Sequence, residues 1–294
     1  MVRIVRILAP NPGVFTLEGT NTWIVGDDPA IVVDPGPAIP AHRDEVLRAA
    51  GRVSHVVVTH DHEDHGDGAA ALAEAVGAPL WAWRLEGAER LKDGQRFPAG
   101  GVELTAVQTP GHSADHVAFF DPGSRGLFTG DAVLGRGTSF IDPPDGDLAK
   151  YLASLRRMQE LGPRTIYPGH GSIVLDAPAK LREYLTHRAE REEQVLAALG
   201  AGPKTVDALV GEIYADQPDD VRPLAARTVT AQLLKLNSEG RVDKSGRGAQ
   251  QTWQAAAPRS CARCVRAVRG KARYCGPCSL ALLQGADDAP GASG

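Results

Sequence analysis

Short bursts of apolar and β-branched residues open this chain. Val2–Leu8, Thr22–Val25 and Ala30–Val33 read as strands, punctuated by the turn sequences Asn11-Pro12-Gly13 and Asp34-Pro35-Gly36. Val53–Thr59 reads as a buried strand, and the alanine-rich Gly68–Val76 as a helix behind it. Val102–Gln108, Val117–Phe120 and Gly126–Thr129 continue the strand pattern before Leu148–Leu161 takes up a helical period. Strands alternating with helices, in two halves of similar layout, predict an α/β fold of the αββα sandwich type.

A longer helical rhythm follows. Ala179–Leu199 places Leu181, Tyr184, Leu185, Val195, Leu196 and Leu199 on one face and His187, Arg188, Arg191, Glu192 and Glu193 on the other. Gly200-Ala201-Gly202-Pro203 ends that helix and marks a boundary. Helix Thr205–Tyr214, helix Leu224–Leu236, Gly240 and a strand pair up to Trp253 then have the order of a winged helix. The second of those helices carries only Arg227 and Lys235, and Asp219, Asp220 and Glu239 flank it. That is a poor face for phosphates, which need several cations together. Packing against the catalytic region or a second copy, as in a homodimer, suits it better. The expected organisation is a catalytic domain over 1–200, a winged-helix-like domain over 201–256, a cysteine-bearing tail over 257–284 and a disordered end over 285–294.

Composition narrows the setting. With 294 residues, 43% hydrophobic and 23% charged, the chain has the make-up of a globular protein with room for more than one module. No apolar run approaches the ~20 residues that span a bilayer. No basic start leads into an apolar stretch, so a cytoplasmic protein away from membranes is expected. All four cysteines fall between Cys261 and Cys278, a distribution unlike a disulfide framework. Residues 1–257 hold 26 basic and 34 acidic groups, whereas 258–294 hold 6 and 2. A weakly acidic body carries a basic tail.

The chemistry concentrates in His60-Asp61-His62-Glu63-Asp64-His65, where three of the chain's nine histidines occupy six positions behind the apolar Val56–Val58. Imidazole nitrogens and carboxylate oxygens are ligands for zinc and its neighbours. Downstream, Thr109-Pro110-Gly111-His112 and Tyr167-Pro168-Gly169-His170 each present a histidine at the exit of a Pro-Gly turn, with Gly expected at positive φ, and Gly130-Asp131 leaves a carboxylate at a strand end. Seven candidate ligands exceed the four that one zinc takes, so two ions are expected. In the tail, Cys261-x2-Cys264-x10-Cys275-x2-Cys278 has paired spacing that suits a third, four-thiolate zinc. Arg259, Arg263, Arg266, Arg269, Lys271, Arg273 and Tyr274 surround those cysteines, as in a nucleic-acid contact or a knob docked on the acidic body.

The HxHxDH run, the PGH, the GD and the final GH resemble the metallo-β-lactamase fold over about residues 4–175. The resemblance implies that His60, His62 and His112 hold one metal and Asp64, His65 and His170 the other, with Asp131 bridging. Asp34 matches the DxG element whose carboxylate orients a ligand histidine. Asp131 stands where antibiotic-degrading members commonly carry cysteine, which points to a housekeeping hydrolase. The segments Gly19-Thr20-Asn21-Thr22-Trp23, Tyr167–Gly171 and His187-Arg188, together with the winged-helix extension, are similar to a subgroup that includes the mitochondrial β-lactamase-like endoribonuclease. Fungal acyl-carrier-protein thioesterases are related to it.

The expected function is therefore a dinuclear zinc hydrolase acting on single-stranded RNA, with Asp64 and Asp131 as catalytic carboxylates and Asn21, His187 and Arg188 on the substrate. A thioesterase of glyoxalase-II or acyl-carrier-protein type is the alternative, and a non-catalytic nucleic-acid-binding regulator the third reading. Asn21 is either a donor to substrate or a turn cap. His116 is either a support for the ligands or part of the following strand, and His42 and His55 read as structural or solvated.

Overall fold

The structure, a computed structural model, describes residues 2–218, 222–257, 259–260 and 267–268. It divides into two compact units, Met1–Arg188 and Ala189–Gly294.

The first unit is built on two mixed sheets. Strands β1 (Ile4–Leu8), β2 (Asn21–Val25), β3 (Ala30–Val33), β4 (Val53–Val57), β5 (Leu80–Ala82) and β6 (Glu89–Arg90) form one sheet in chain order. The second runs β11 (Thr165–Pro168), β10 (Gly126–Gly130), β9 (Val117–Asp121), β8 (Val102–Gln108) and β7 (Arg96–Ala99). Pairing is antiparallel from β1 to β3 and from β7 to β10, and parallel from β3 to β6 and between β10 and β11.

Residue alternation explains how one strand serves two layers. On β3, Ile31 and Val33 join Trp23, Val57, Phe97, Leu104, Phe119 and Phe128 between the sheets. The intervening Ala30 and Val32 face the other way, into a cluster with Val46, Ala69 and Leu72 from helices α1 (Pro40–Ala50) and α3 (Ala69–Val76). Both faces are covered, so β3 is apolar throughout. Between these two helices α2 (Glu63–Gly66) forms a single turn. Helix α4 (Leu148–Glu160) buries Tyr151, Leu155 and Met158 and starts at Asp147, whose side chain accepts from the Lys150 N–H. Tyr151 donates to the Ala132 carbonyl and Ser154 to that of Pro110, which fastens α4 to loops of the second sheet. The αββα expectation holds.

Differences from the sequence reading are local. Helix α1 and strands β5, β6, β7 and β11 were not foreseen. Residues 40–50 mix a buried His42 with exposed charges, which blurs the apolar stripe, and β5 and β6 are too short to show alternation. Helix α5 (Ala177–Leu199) buries Leu181, Tyr184, Val195 and Leu199 as expected. Arg188, assigned to the charged face, is 4% exposed. It lies one turn beyond Tyr184 and so shares the inner face.

In the second unit, α6 (Val206–Ile213), α7 (Arg222–Ser238) and the hairpin β12 (Val242–Ser245) and β13 (Thr252–Ala255) follow the expected winged-helix order. Leu209, Val229, Leu233, Leu236, Val242 and Trp253 form its core. Lys235, one of two cations expected on α7, pairs with Glu192 and lies 3.0 Å from Glu239. That further weakens a phosphate-binding role for this helix. A two-residue backbone ladder pairs β14 (Arg259–Ser260) with β15 (Ala267–Val268). Cys261, Cys264, Cys275 and Cys278, and the expected disordered end, lie outside the described residues. No described helix is long and apolar enough to cross a membrane.

Candidate metal centre

All seven ligands foreseen in the first unit converge. His60 and His62 follow β4, Asp64 and His65 sit in α2, His112 follows β8, Asp131 follows β10 directly, and His170 follows β11. Potential ligand atoms of His60, His62 and His112 lie within 4.8 Å of one another, as do those of Asp64, His65 and His170, and those of His60, His65 and Asp131. Asp131 stands between the groups. Its Oδ1 is 3.3 Å from His65 Nε2 and 3.2 Å from His170 Nε2, and its Oδ2 is 3.9 Å from His112 Nε2.

The outward nitrogens fix the tautomers. His65 Nδ1 is 2.9 Å from Asp34 Oδ2, His112 Nδ1 is 2.9 Å from the Phe140 carbonyl, and His170 Nδ1 is 3.2 Å from the Gly19 carbonyl. Each partner only accepts, so each Nδ1 carries a hydrogen. The Thr59 hydroxyl donates to Asp34 Oδ2 at 2.9 Å, and its oxygen therefore accepts from His60 Nδ1 at 2.9 Å. Four Nε2 lone pairs are thereby aimed inward. His60 Nε2 is 2.9 Å and His112 Nε2 3.3 Å from His62 Nδ1, and His65 Nε2 is 3.3 Å from His170 Nε2. Asp131 Oδ1 is buried with no donor in hydrogen-bond geometry. Lone pairs and carboxylates crowded at these distances call for positive charge between them. These residues fit a pair of divalent cations.

Without metal, protons take that role in one half. Burial opposes the charged form of His170, but Asp131 and Asp64 push its pKa up to about 9. Burial likewise opposes protonation of His65, yet Asp131, Asp34 and Asp64 hold it well above the usual histidine range. For Asp64 burial resists ionisation, while His65 and the bond with His170 bring it down to about 2. The other half behaves in the opposite way. Burial, reinforced by neighbouring imidazoles, lowers His60 and His112.

Backbone conformation serves the cluster. Asp34 adopts φ +51°, rare for a residue with a side chain, and is 1% exposed. Its Oδ1 also accepts from the Thr59 N–H at 2.7 Å, so one carboxylate joins β3, β4 and His65. Gly111 has the expected positive φ, +135°. At Gly169 the expected positive φ is absent and the need is space, because a Cβ would come within 2.6 Å of Asp131 Oδ1 and of His65 Cε1.

The metallo-beta-lactamase superfamily model matches residues 15–97 and 82–170 of this chain. This chain belongs to that superfamily. The beta-lactamase associated winged helix domain matches residues 205–253. The lactamase-like protein adaB of Aspergillus niger is 35% identical over 280 residues, covering 87% of this chain and 86% of that protein. A protein of Aspergillus chevalieri named atrochrysone carboxyl ACP thioesterase is 34% identical over 269 residues, covering 85% and 86%. Among solved structures, a beta-lactamase domain protein from Burkholderia ambifaria matches with a TM-score of 0.74 over 87% of this chain and 91% of that one, at 23% identity, which shows the shared fold. The chain is thus a metallo-β-lactamase superfamily hydrolase with a winged-helix extension.

The three expected substrate contacts are placed differently. Asn21 is fully buried, and its amide donates to the Pro168 and Gly171 carbonyls at 2.9 Å each. It braces the turn that presents His170 and has no hydrogen left for substrate. Arg188 donates to the Ser139 carbonyl and lies 5.3 Å from the Tyr151 ring, behind the loop that carries Phe140. Neither it nor the half-buried His187 lines the cavity over the metals.

Sequence reasoning missed several supports. Thr20, beside Asn21, donates to Asp64 Oδ2 at 3.1 Å and is itself held by Asn11. Asp115, 2% exposed, accepts from the Asp61 N–H at 3.0 Å and from Ser113 Oγ at 2.8 Å, tying the first ligand loop to the loop of His112. Thr20 and Asn21 point to opposite sides of the extended chain, and the bridge between Thr20 and His170 sets which one faces the ligands. His116 is fully buried with its ring 5.1 Å from that of His60, so it backs the ligands from the start of β9. His42 is buried against Thr22 Oγ1 at 2.8 Å, a structural role.

Proposed function

We propose that this protein is a dizinc thioesterase acting on acyl groups carried on a thiol arm. The observation that carries the reading is the lining of the cavity above the cluster, about 920 Å³ in volume. Phe15, Leu17, Leu134 and Phe140 give it an apolar wall, with the Phe15 and Phe140 rings 5.6 Å apart. Asp61, Glu63, Asp142 and Asp145 add carboxylates beyond the ligands, and Arg136 is the one Lys or Arg among the described lining residues. A polyanionic strand would be repelled there, since RNA binding draws on several phosphate-neutralising cations. A neutral thioester with an apolar acyl group fits. The similarity to a protein named as an acyl-carrier-protein thioesterase supports the same choice. The RNA expectation rested on the resemblance to the endoribonuclease subgroup, with the basic tail as an added phosphate contact, and the cavity lining does not favour it.

A pair of zinc ions, when bound, supplies Lewis acidity that makes water a nucleophile near neutral pH and stabilises a developing oxyanion. The protein's own groups do the rest. The Phe15–Phe140 wall holds the acyl group and excludes bulk water. Asp64 Oδ2 accepts from Thr20, so Oδ1 is the oxygen that can accept a hydrogen bond from the attacking water and orient it. A carbon–oxygen bond forms, the carbon–sulfur bond breaks, and the proton lost by the water passes to the departing thiolate, so acid and thiol are released.

The test is a parallel assay of the purified, metal-loaded protein on an acyl-pantetheine thioester and on labelled single-stranded RNA. Thiol release with intact RNA is the expected result, and RNA cleavage without thiol release would reverse the reading. We also propose a third zinc in the cysteine tail. Elemental analysis should find about three zinc ions per chain, falling to about two on truncation before Cys261.

A further inference from the structure

The metal cavity continues past its ligands. Asp61 also lines a neighbouring open groove of about 510 Å³, together with Trp83, Arg84, Glu86 and Arg90, so the two depressions meet at that residue. The groove follows the edge of the first sheet, where Trp83 and Arg84 come directly after β5 and Arg90 ends β6. Its charge differs from that of the cavity. Arg136, the one Lys or Arg among the cavity's described lining residues, is 3.3 Å from Glu18. Arg84 and Arg90 are exposed, and among the described residues neither guanidinium forms a hydrogen bond or ion pair. Arg90 lies 6.0 Å from the Trp83 ring.

We propose that this groove binds the phosphate end of a 4′-phosphopantetheine arm whose thioester lies at the metal cluster. The inference rests on the thioesterase reading and extends it to the carrier. Such a substrate bears its reactive carbonyl at one end of a long flexible arm and a phosphate at the other. The acyl end has the apolar wall. In the cavity Glu63, Asp142 and Asp145 add carboxylates that disfavour a phosphate, whereas in the groove Arg84 and Arg90 balance Asp61 and Glu86, so the phosphate is better placed there. On the far side of Asp61 two guanidiniums stand unengaged, and their planar donor forks match phosphate oxygens. Anchoring the remote end would orient the thioester without adding any group to the reacting centre. Coenzyme A and an acyl carrier protein present the same arm.

The experiment compares benzoyl thioesters of pantetheine, 4′-phosphopantetheine, coenzyme A and a carrier protein on the metal-loaded full-length enzyme. It is repeated with Arg84→Glu/Arg90→Glu, whose exposed positions spare the core. The wild type should show a KM about tenfold lower for 4′-phosphopantetheine than for pantetheine, in line with charge-assisted bonds to one phosphate. In the double variant that ratio should fall to about one. A further gain for the carrier protein over coenzyme A would identify a protein-borne arm, and the reverse would identify the free cofactor. Equal KM values in the wild type, or a ratio that survives the double substitution, overturn the proposal while leaving the thioesterase reading intact. If no thioester is turned over, that reading fails. Calorimetric titration with 4′-phosphopantetheine against pantetheine then decides the groove alone, and equal affinities reject it. Loss of labelled RNA binding in the variant, with the arm ratio unchanged, would assign the groove to nucleic acid instead.

Discussion

The two halves of the metal cluster are made of the same imidazoles and yet differ in their affinity for protons. His60 and His112 turn their outer nitrogens to a hydroxyl and a carbonyl, and burial lowers both. Burial opposes protonation of His65 and His170 as well, but Asp131 and Asp64 raise both and Asp34 raises His65 further. The difference lies in where the carboxylates are. His60 and His112 offer ready lone pairs at neutral pH, whereas the charged trio of Asp64, His65 and His170 binds a cation only by releasing protons.

Removing the residue between the halves should have the largest effect. Asp131→Ala takes away a carboxylate that faces both groups, and hydrolysis should fall by at least about a hundredfold, measured as kcat at saturating metal. Turnover close to wild type would show that the charged half is idle. Asp34→Asn should come next. It disturbs the contact to His65 and the bonds from Thr59, so metal affinity should drop about ten- to a hundredfold, and more in the charged half. Competition with a chromogenic chelator measures this, and equal losses in the two halves would break the contrast.

Acidity sharpens the comparison further. His170 has a folded pKa of about 9 against 6.5 for the free side chain, so its stabilisation of the metal-free protein is complete below pH 6.5 and lost as pH rises through 9. Thermal melts of metal-free protein should therefore decline across that window, while metal affinity in the charged half rises. Calorimetry in buffers of different ionisation enthalpy should detect protons released by one metal and few by the other. Asp64, held at about 2, adds stability above pH 3.8 that is lost as pH falls through 2. The smallest effect belongs to Asp115→Asn. The amide oxygen can still accept from Asp61 N–H while the NH2 donates to the Ser113 hydroxyl, so one bond is reversed, the cost should stay below about 1 kcal/mol, and only the half with His60 and His112 should weaken. A loss confined to the charged half would contradict that placement.

The ligands were legible because they come as contiguous or turn-borne motifs. Six positions hold His60, His62, Asp64 and His65, and the Pro-Gly turns announce His112 and His170. The winged-helix order was equally readable from helix periods and Gly200–Pro203. Helix α1 was not, since His42 sits buried among charged neighbours and its partner Thr22 is 20 residues away. Arg188 shows the same limit, for its type suggested solvent while its place one turn after Tyr184 put it inside.

Residue type and the turns that present it were enough to mark the candidate ligands, because ligand chemistry belongs to the side chain and its local setting. The sequence also determined the layered fold, since alternation and helical period are properties of adjacent residues. Only the tertiary structure decided which half of the cluster holds protons, that Asn21 braces a turn while Thr20 faces the metals, and that carboxylates and aromatic rings share the cavity wall. Those outcomes depend on distances between segments far apart in the chain. Electrostatic and packing energies follow those distances, and no local pattern encodes them.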